Sequence, residues 1–138
     1  MKITDFQERL KGKTVKQIMT KDVITVTPNI TLSEFFETAV KKSKKSGYPV
    51  VDDRGNIVGI VSTMKDFFEI DPKDWGKKTI KDIMKTNLVL TTPTESVIEV
   101  MKKMKKRNIG RVPVVEAMQL VGIVSRQNIN ELIEELVG

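Results

Sequence analysis

Apolar residues change their spacing several times along this chain, and each change marks an element. Ile3, Phe6 and Leu10 recur at helical spacing, and Gly12 is placed to end that short helix. Thr14 and Gln17 have capping-box spacing and open a second short helix through Ile18 and Met19. The run Asp22–Pro28 is rich in β-branched residues and reads as a strand stopped by its proline. Thr31 and Glu34 form another capping box. They begin an amphipathic helix whose inner face carries Leu32, Phe35, Phe36, Ala39 and Val40. Lys41, Lys42, Lys44 and Lys45 crowd its C-terminal turns, where the helix dipole favours cations, and Gly47 is expected to end it. Two short apolar runs, 48–51 and 57–61, flank the polar stretch 52–56 and predict a hairpin. Thr63–Asp66 then opens a helix through Phe67, Phe68 and Ile70.

After a linker-like stretch, 71–78, the pattern starts again. Thr79–Met84 matches Thr14–Met19, and Leu88–Pro93 matches Val23–Pro28, at an offset of 65 residues. Ser96 and Glu99 repeat the capping box of Thr31 and Glu34. Pro113 matches Pro49 at an offset of 64, and Gly122 matches Gly59 at 63. The second copy is therefore one residue shorter before its proline and another shorter in its hairpin turn. A last helix runs from Gln127 to Val137. Each copy reads short helix, strand, long helix, strand, strand, helix. A copy alone is near the size where a core is marginal, so two copies burying each other's apolar strand faces is the economical arrangement. The organisation expected is an N-terminal helical extension (1–13), copy 1 (14–71), linker (72–78) and copy 2 (79–138).

Composition narrows the chemistry. The 138 residues contain no cysteine and no histidine. Disulfides and thiolate metal sites are excluded, and so are the commonest general base and the commonest catalytic metal ligand. No apolar run approaches the roughly 20 residues of a membrane span. The N-terminal residues have no signal-peptide core, so a cytoplasmic location is expected. The net charge is +6, with an excess of +2 through Asp71 and +4 beyond it. That balance fits either a solvated lysine-rich surface or attraction for anions, nucleotide phosphates and nucleic acid among them.

The repeat resembles the cystathionine-β-synthase (CBS) domain, and the chain resembles a stand-alone tandem pair, or Bateman module. The likeness rests on Ile18-Met19, Val26-Thr27-Pro28, Pro49-Val50-Val51-Asp52 and Gly59-Ile60-Val61-Ser62. In the second copy it rests on Ile83-Met84, Thr91-Thr92-Pro93, Pro113-Val114-Val115 and Gly122-Ile123-Val124-Ser125. It covers residue 14 to about 137. It implies an α/β (α+β) fold of two β-α-β-β-α motifs packed with pseudo-twofold symmetry through their sheets. It also implies adenosine-containing ligands in clefts between the copies, and homodimerisation into a disc.

The family's ligand motif is Gly-hydrophobic-x-Ser/Thr-x-x-Asp at a strand-to-helix junction, where free backbone N–H groups and a partial positive charge suit a phosphate. In the second copy Ser125 fits the hydroxyl, and Asn128 stands where Asp is usual, which predicts weaker or altered ribose binding. The first copy has one residue too many between Gly59 and Asp66. Thr63 and Asp66 keep the three-residue spacing, with Ser62 as the alternative hydroxyl. Thr63 and Asp66 also have helix-capping spacing, and both roles can coexist. By the family pattern an adenine slot would be lined by Ile24, Val26, Tyr48 and Pro49, and by Val89, Thr91, Val112 and Pro113. Plain core packing is the other reading of each. Arg111 and Arg126 are either phosphate ligands or surface arginines. Trp75 is expected to be a packing anchor between the copies.

These readings predict a regulatory sensor for AMP, ADP, ATP or S-adenosylmethionine that requires no cofactor, performs no chemistry and signals through conformational change or a regulated partner protein. The alternative is a nucleic-acid-binding protein using its basic surface, against which stand few aromatics and no recognition-helix motif.

Overall fold

The computed structural model describes residues 3–138, with side chains from Asp5 onward. Met1, Lys2 and the side chain of Ile3 lie outside the described residues. The elements in order are α1 (Ile3–Leu10), α2 (Val15–Ile18), α3 (Leu32–Phe35), a π-helical turn (Phe36–Val40) and α4 (Lys41–Ser43). Then come β1 (Gly47–Val51), β2 (Ile57–Ser62), a second π-helical turn (Thr63–Phe67), a 3-10 turn (Pro72–Asp74) and α5 (Ile80–Ile83). The chain ends with α6 (Val97–Arg107), β3 (Arg111–Glu116), β4 (Gln119–Ser125) and α7 (Arg126–Val137). The fold mixes helix and strand, with two small antiparallel sheets, β1–β2 and β3–β4.

The chain divides into two compact units. One is Ile24–Leu88; the other joins the described residues up to Val23 to Val89–Gly138. Each unit thus takes its hairpin from one repeat and its short helix from the other: α5 packs with β1–β2, and α2 with β3–β4. The docking is the same in both. Ile60 and Lys85 exchange both backbone hydrogen bonds (3.0 and 2.8 Å), as do Ile123 and Thr20 (3.0 and 2.9 Å). The helix starts also interlock: Leu32 donates to Lys78 and Ile80 to Ile30 in one unit, Val15 to Glu95 and Val97 to Lys13 in the other.

The first unit packs Leu32, Phe35, Ala39, Val40, Tyr48, Val50, Val61, Phe67 and Ile80 into one core. Phe35 meets Tyr48 and Phe67 edge-on, at 5.2 and 5.1 Å between ring centroids. The second unit is built on Val15, Val100, Met104, Val112, Val114, Val124 and Ile129. Trp75 is a packing anchor, but inside the first unit. Its ring lies 4.6 Å from Phe67 and 5.2 Å from Phe36, and its Nε1 donates to the Ile70 carbonyl.

The strands expected over Asp22–Pro28 and Leu88–Pro93 are reduced to single parallel bridges, Val26↔Val50 and Thr91↔Val114. Proline is the reason. Val26 donates to Pro49 and accepts from Val51; Thr91 donates to Pro113 and accepts from Val115. Extending either ladder backward would need an N–H from Pro49 or Pro113. Extending it forward would need one from Pro28 or Pro93. None has one, so pairing stops after one residue on both sides.

The length differences between the copies are absorbed in the helices. The long helix of the first copy spans 32–43 against 97–107 in the second, and its extra residue sits in the π-helical turn Phe36–Val40. Gly47 does not end it. Lys44 takes the left-handed conformation (φ 53°), as Asn108 does after α6 (φ 52°), and Gly47 opens β1.

Candidate functional site

In the first unit β2 runs into the π-helical turn, and the cap there is Ser62 rather than Thr63. Ser62 Oγ accepts from the Lys65 N–H (3.3 Å), and Asp66 Oδ2 accepts from the Ser62 N–H (2.7 Å). In the second unit Ser125 and Asn128 close the same box with one residue fewer. The Ser125 N–H donates to Asn128 Oδ1 (2.8 Å), and the Asn128 N–H to Ser125 Oγ (3.2 Å). The residue that is surplus in the first copy is taken up by the wider turn, in which the Phe68 N–H reaches the Thr63 carbonyl five residues back. Ser62 and Asp66 are therefore the counterparts of Ser125 and Asn128.

Thr63 is buried and its hydroxyl donates to the Lys45 carbonyl at 2.8 Å. It ties the turn to the loop before β1. Asp66 is also buried, yet its Oδ1 stands 3.5 Å from Nζ of Lys85, whose side chain is 70% exposed. The N–H groups of Ser62, Thr63 and Lys65 are all spent internally, that of Thr63 on the Ser46 carbonyl. Free amides awaiting a phosphate are not what these three positions provide. In the second unit the Ser125 and Asn128 N–H groups are spent in the cap and that of Arg126 on Gly110.

The slot residues divide. Tyr48 is fully buried, and its hydroxyl meets Ser43 Oγ (2.7 Å), the Lys45 N–H (3.0 Å) and the Ala39 carbonyl (3.3 Å). Val112 is fully buried, Pro49 and Pro113 are buried, and Val26 nearly so. Ile24 is 41% exposed, an open apolar surface beside Val26. Val89 is half-buried. Thr91 is buried and donates to Glu95 Oε1 (2.7 Å), which also accepts from Lys103 (2.7 Å). Burial pushes the Glu95 carboxyl up, but the hydrogen bonds from Lys103 and Thr91 outweigh it and hold it below the usual range.

Arg111 is half-buried at the start of β3. Arg126 is exposed and lies over Gly110, where a Cβ would stand 3.6 Å from its Nε. It lines a cavity of about 370 Å³ together with Met101, Met104, Lys105, Asn108, Ile129 and Asn130; Val89, Thr91, Val112 and Pro113 do not border that cavity.

A family model for the CBS domain matches residues 15–64 and 80–135. The chain belongs to the CBS domain family. Among solved structures it is similar to the CBS domain pair of protein MJ0100 in complex with 5′-methylthioadenosine and S-adenosyl-L-methionine. That likeness is 35% in sequence with a TM-score of 0.77, over 89% of this chain and 97% of that one. CBSX2 in complex with AMP is 26% identical with a TM-score of 0.81, over 92% of this chain and all of that one (100%). L-aspartate semialdehyde sulfurtransferase of Methanocaldococcus jannaschii is 36% identical over 119 residues, 86% of this chain but 23% of that enzyme. The chain spans 23%, 37% and 42% of the first three curated relatives it matches.

Sequence reasoning missed Lys85 and Thr20 as neighbours of the two CBS junctions. The signal was present: the 65-residue offset that aligns Met84 with Met19 also aligns Lys85 with Thr20. What it could not show is that each Ile-Met segment docks on the hairpin of the other repeat. Among the described residues no group of acidic side chains is placed to hold a metal ion, and no helix is long and apolar enough to cross a membrane.

Proposed function

We propose that this chain is a regulatory CBS pair that binds an adenosine-containing ligand, AMP, ADP, ATP or S-adenosylmethionine, at its hairpin-to-helix junctions. The observation that carries the reading is Asp66: a buried carboxylate held rigidly by the Ser62 N–H, with its second oxygen turned toward an exposed ammonium. Such a carboxylate can accept from ribose hydroxyls without first being desolvated or ordered. The exposed apolar face of Ile24 supplies the kind of surface an adenine packs on. The bound ligands of MJ0100 and CBSX2 are all adenosine compounds, which supports the same class here. Output would pass by population shift to a partner domain, a regulated protein or a second copy of the chain.

Thermal unfolding with AMP, ADP, ATP, S-adenosylmethionine and, as control, GMP tests this. A ligand at a hundredfold its Kd stabilises by about 2.7 kcal/mol, so at least one adenosine compound is expected to raise the midpoint by several degrees while GMP does not. A midpoint unmoved by millimolar amounts of all four adenosine compounds contradicts the reading.

A further inference from the structure

The two repeats hold different side-chain pairs on the same backbone frame. In the first unit the Asp66 carboxylate faces Lys85, Nζ to Oδ1 3.5 Å. In the second unit Asn128 stands in place of Asp66 and Thr20 in place of Lys85, and Asn128 Nδ2 donates to Thr20 Oγ1 at 3.3 Å. The reciprocal bridges Ile60–Lys85 and Ile123–Thr20 show that both pairs are presented by equivalent main chain. One junction carries an ammonium and a carboxylate. The other carries a neutral amide and a hydroxyl.

This difference bears on the ligand's 5′ substituent. The amides of Ser62, Thr63 and Lys65 are already engaged, so a side-chain cation is the stronger partner there for an anionic group. Lys85 is the cation in ion-pair contact with Asp66 at that spot. Its ammonium has three donors, and contact with Asp66 Oδ1 occupies one of them. Its exposed side chain lets the head turn to a phosphate without leaving the carboxylate. At the second junction neither Thr20 nor Asn128 is charged. The neighbouring Arg126 lies over Gly110 and lines the α6–α7 cavity instead.

We propose that Lys85 makes the first junction select phosphorylated adenosine ligands, while the uncharged Thr20–Asn128 junction does not. This rests on the adenosine reading above and adds a specificity residue to it. The test is calorimetric titration of the full chain with AMP and with adenosine. Three proteins are compared: the natural chain, Lys85→Thr, and the double variant Thr20→Lys with Asn128→Asp. The natural chain is expected to show one site that prefers AMP over adenosine by about tenfold. Lys85→Thr should abolish that preference, and the double variant should show two AMP-preferring sites. An AMP-to-adenosine ratio unchanged by Lys85→Thr overturns the selectivity while leaving the adenosine reading standing. A natural chain that binds neither compound overturns the selectivity, and the adenosine reading falls with it only if ADP, ATP and S-adenosylmethionine also leave the unfolding midpoint unmoved.

Discussion

Replacing Gly122 by alanine is expected to destabilise the chain by about 1–3 kcal/mol, and Gly59→Ala by clearly less. Both glycines have ordinary backbone angles, so conformational freedom is not what they supply. Space is. A Cβ at Gly122 would stand 2.8 Å from Met19 Sδ and 2.9 Å from the Thr20 carbonyl oxygen. The thioether can swing away, but the carbonyl cannot, because it accepts the Ile123 N–H that fixes the segment to β4. At Gly59 the closest atom is again a thioether, Met84 Sδ at 2.6 Å, while the Lys85 carbonyl is 3.1 Å away and needs to give only slightly. Urea denaturation of the two variants measures the difference. Equal losses would mean that the thioether, not the backbone bridge, sets the tolerance.

The second large effect is expected at Asp66. Asp66→Ala removes the acceptor of the half-buried Ser62 N–H and the counterion of Lys85. It should cost about 1–3 kcal/mol of stability and lower AMP affinity at least about tenfold. Asp66→Asn reproduces the second repeat, where Asn128 Oδ1 accepts the equivalent N–H from Ser125. That variant should keep most of the stability and still lose most of the affinity, because it keeps the cap and drops the charge. Denaturation and calorimetry on both variants separate the two roles. Full affinity in Asp66→Ala would leave the residue a helix cap only.

The parts of this fold that were legible from the chain are those set by near neighbours. The hairpins follow from Pro-Val-Val and Gly-Ile-Val-Ser, and both form, with Val50 opposite Gly59 and Val114 opposite Gly122. The caps at Thr31 and Ser96 sit where their spacing put them. What depended on partners distant in sequence was not legible. Residues 22–28 have strand composition, but only the pairing partner reveals that Pro49 blocks one end of the ladder and Pro28 the other. The surplus residue before Asp66 suggested shifting the cap to Thr63. The π-helical turn instead keeps Ser62 as cap and turns the Thr63 hydroxyl to Lys45. Gly47 looked like a helix stop by type, yet Lys44 does that work with its backbone in the left-handed region. Lys85 carried no motif at all and came into view only once α5 was seen to dock on β2.

A crystal structure of the chain grown with AMP examines the central proposal most directly. It should show the ribose hydroxyls within hydrogen-bond distance of the Asp66 carboxylate. Nucleotide bound only at sites remote from Asp66 and Asn128, or both junctions empty at saturating AMP and in a second crystal at saturating S-adenosylmethionine alike, would contradict the proposal.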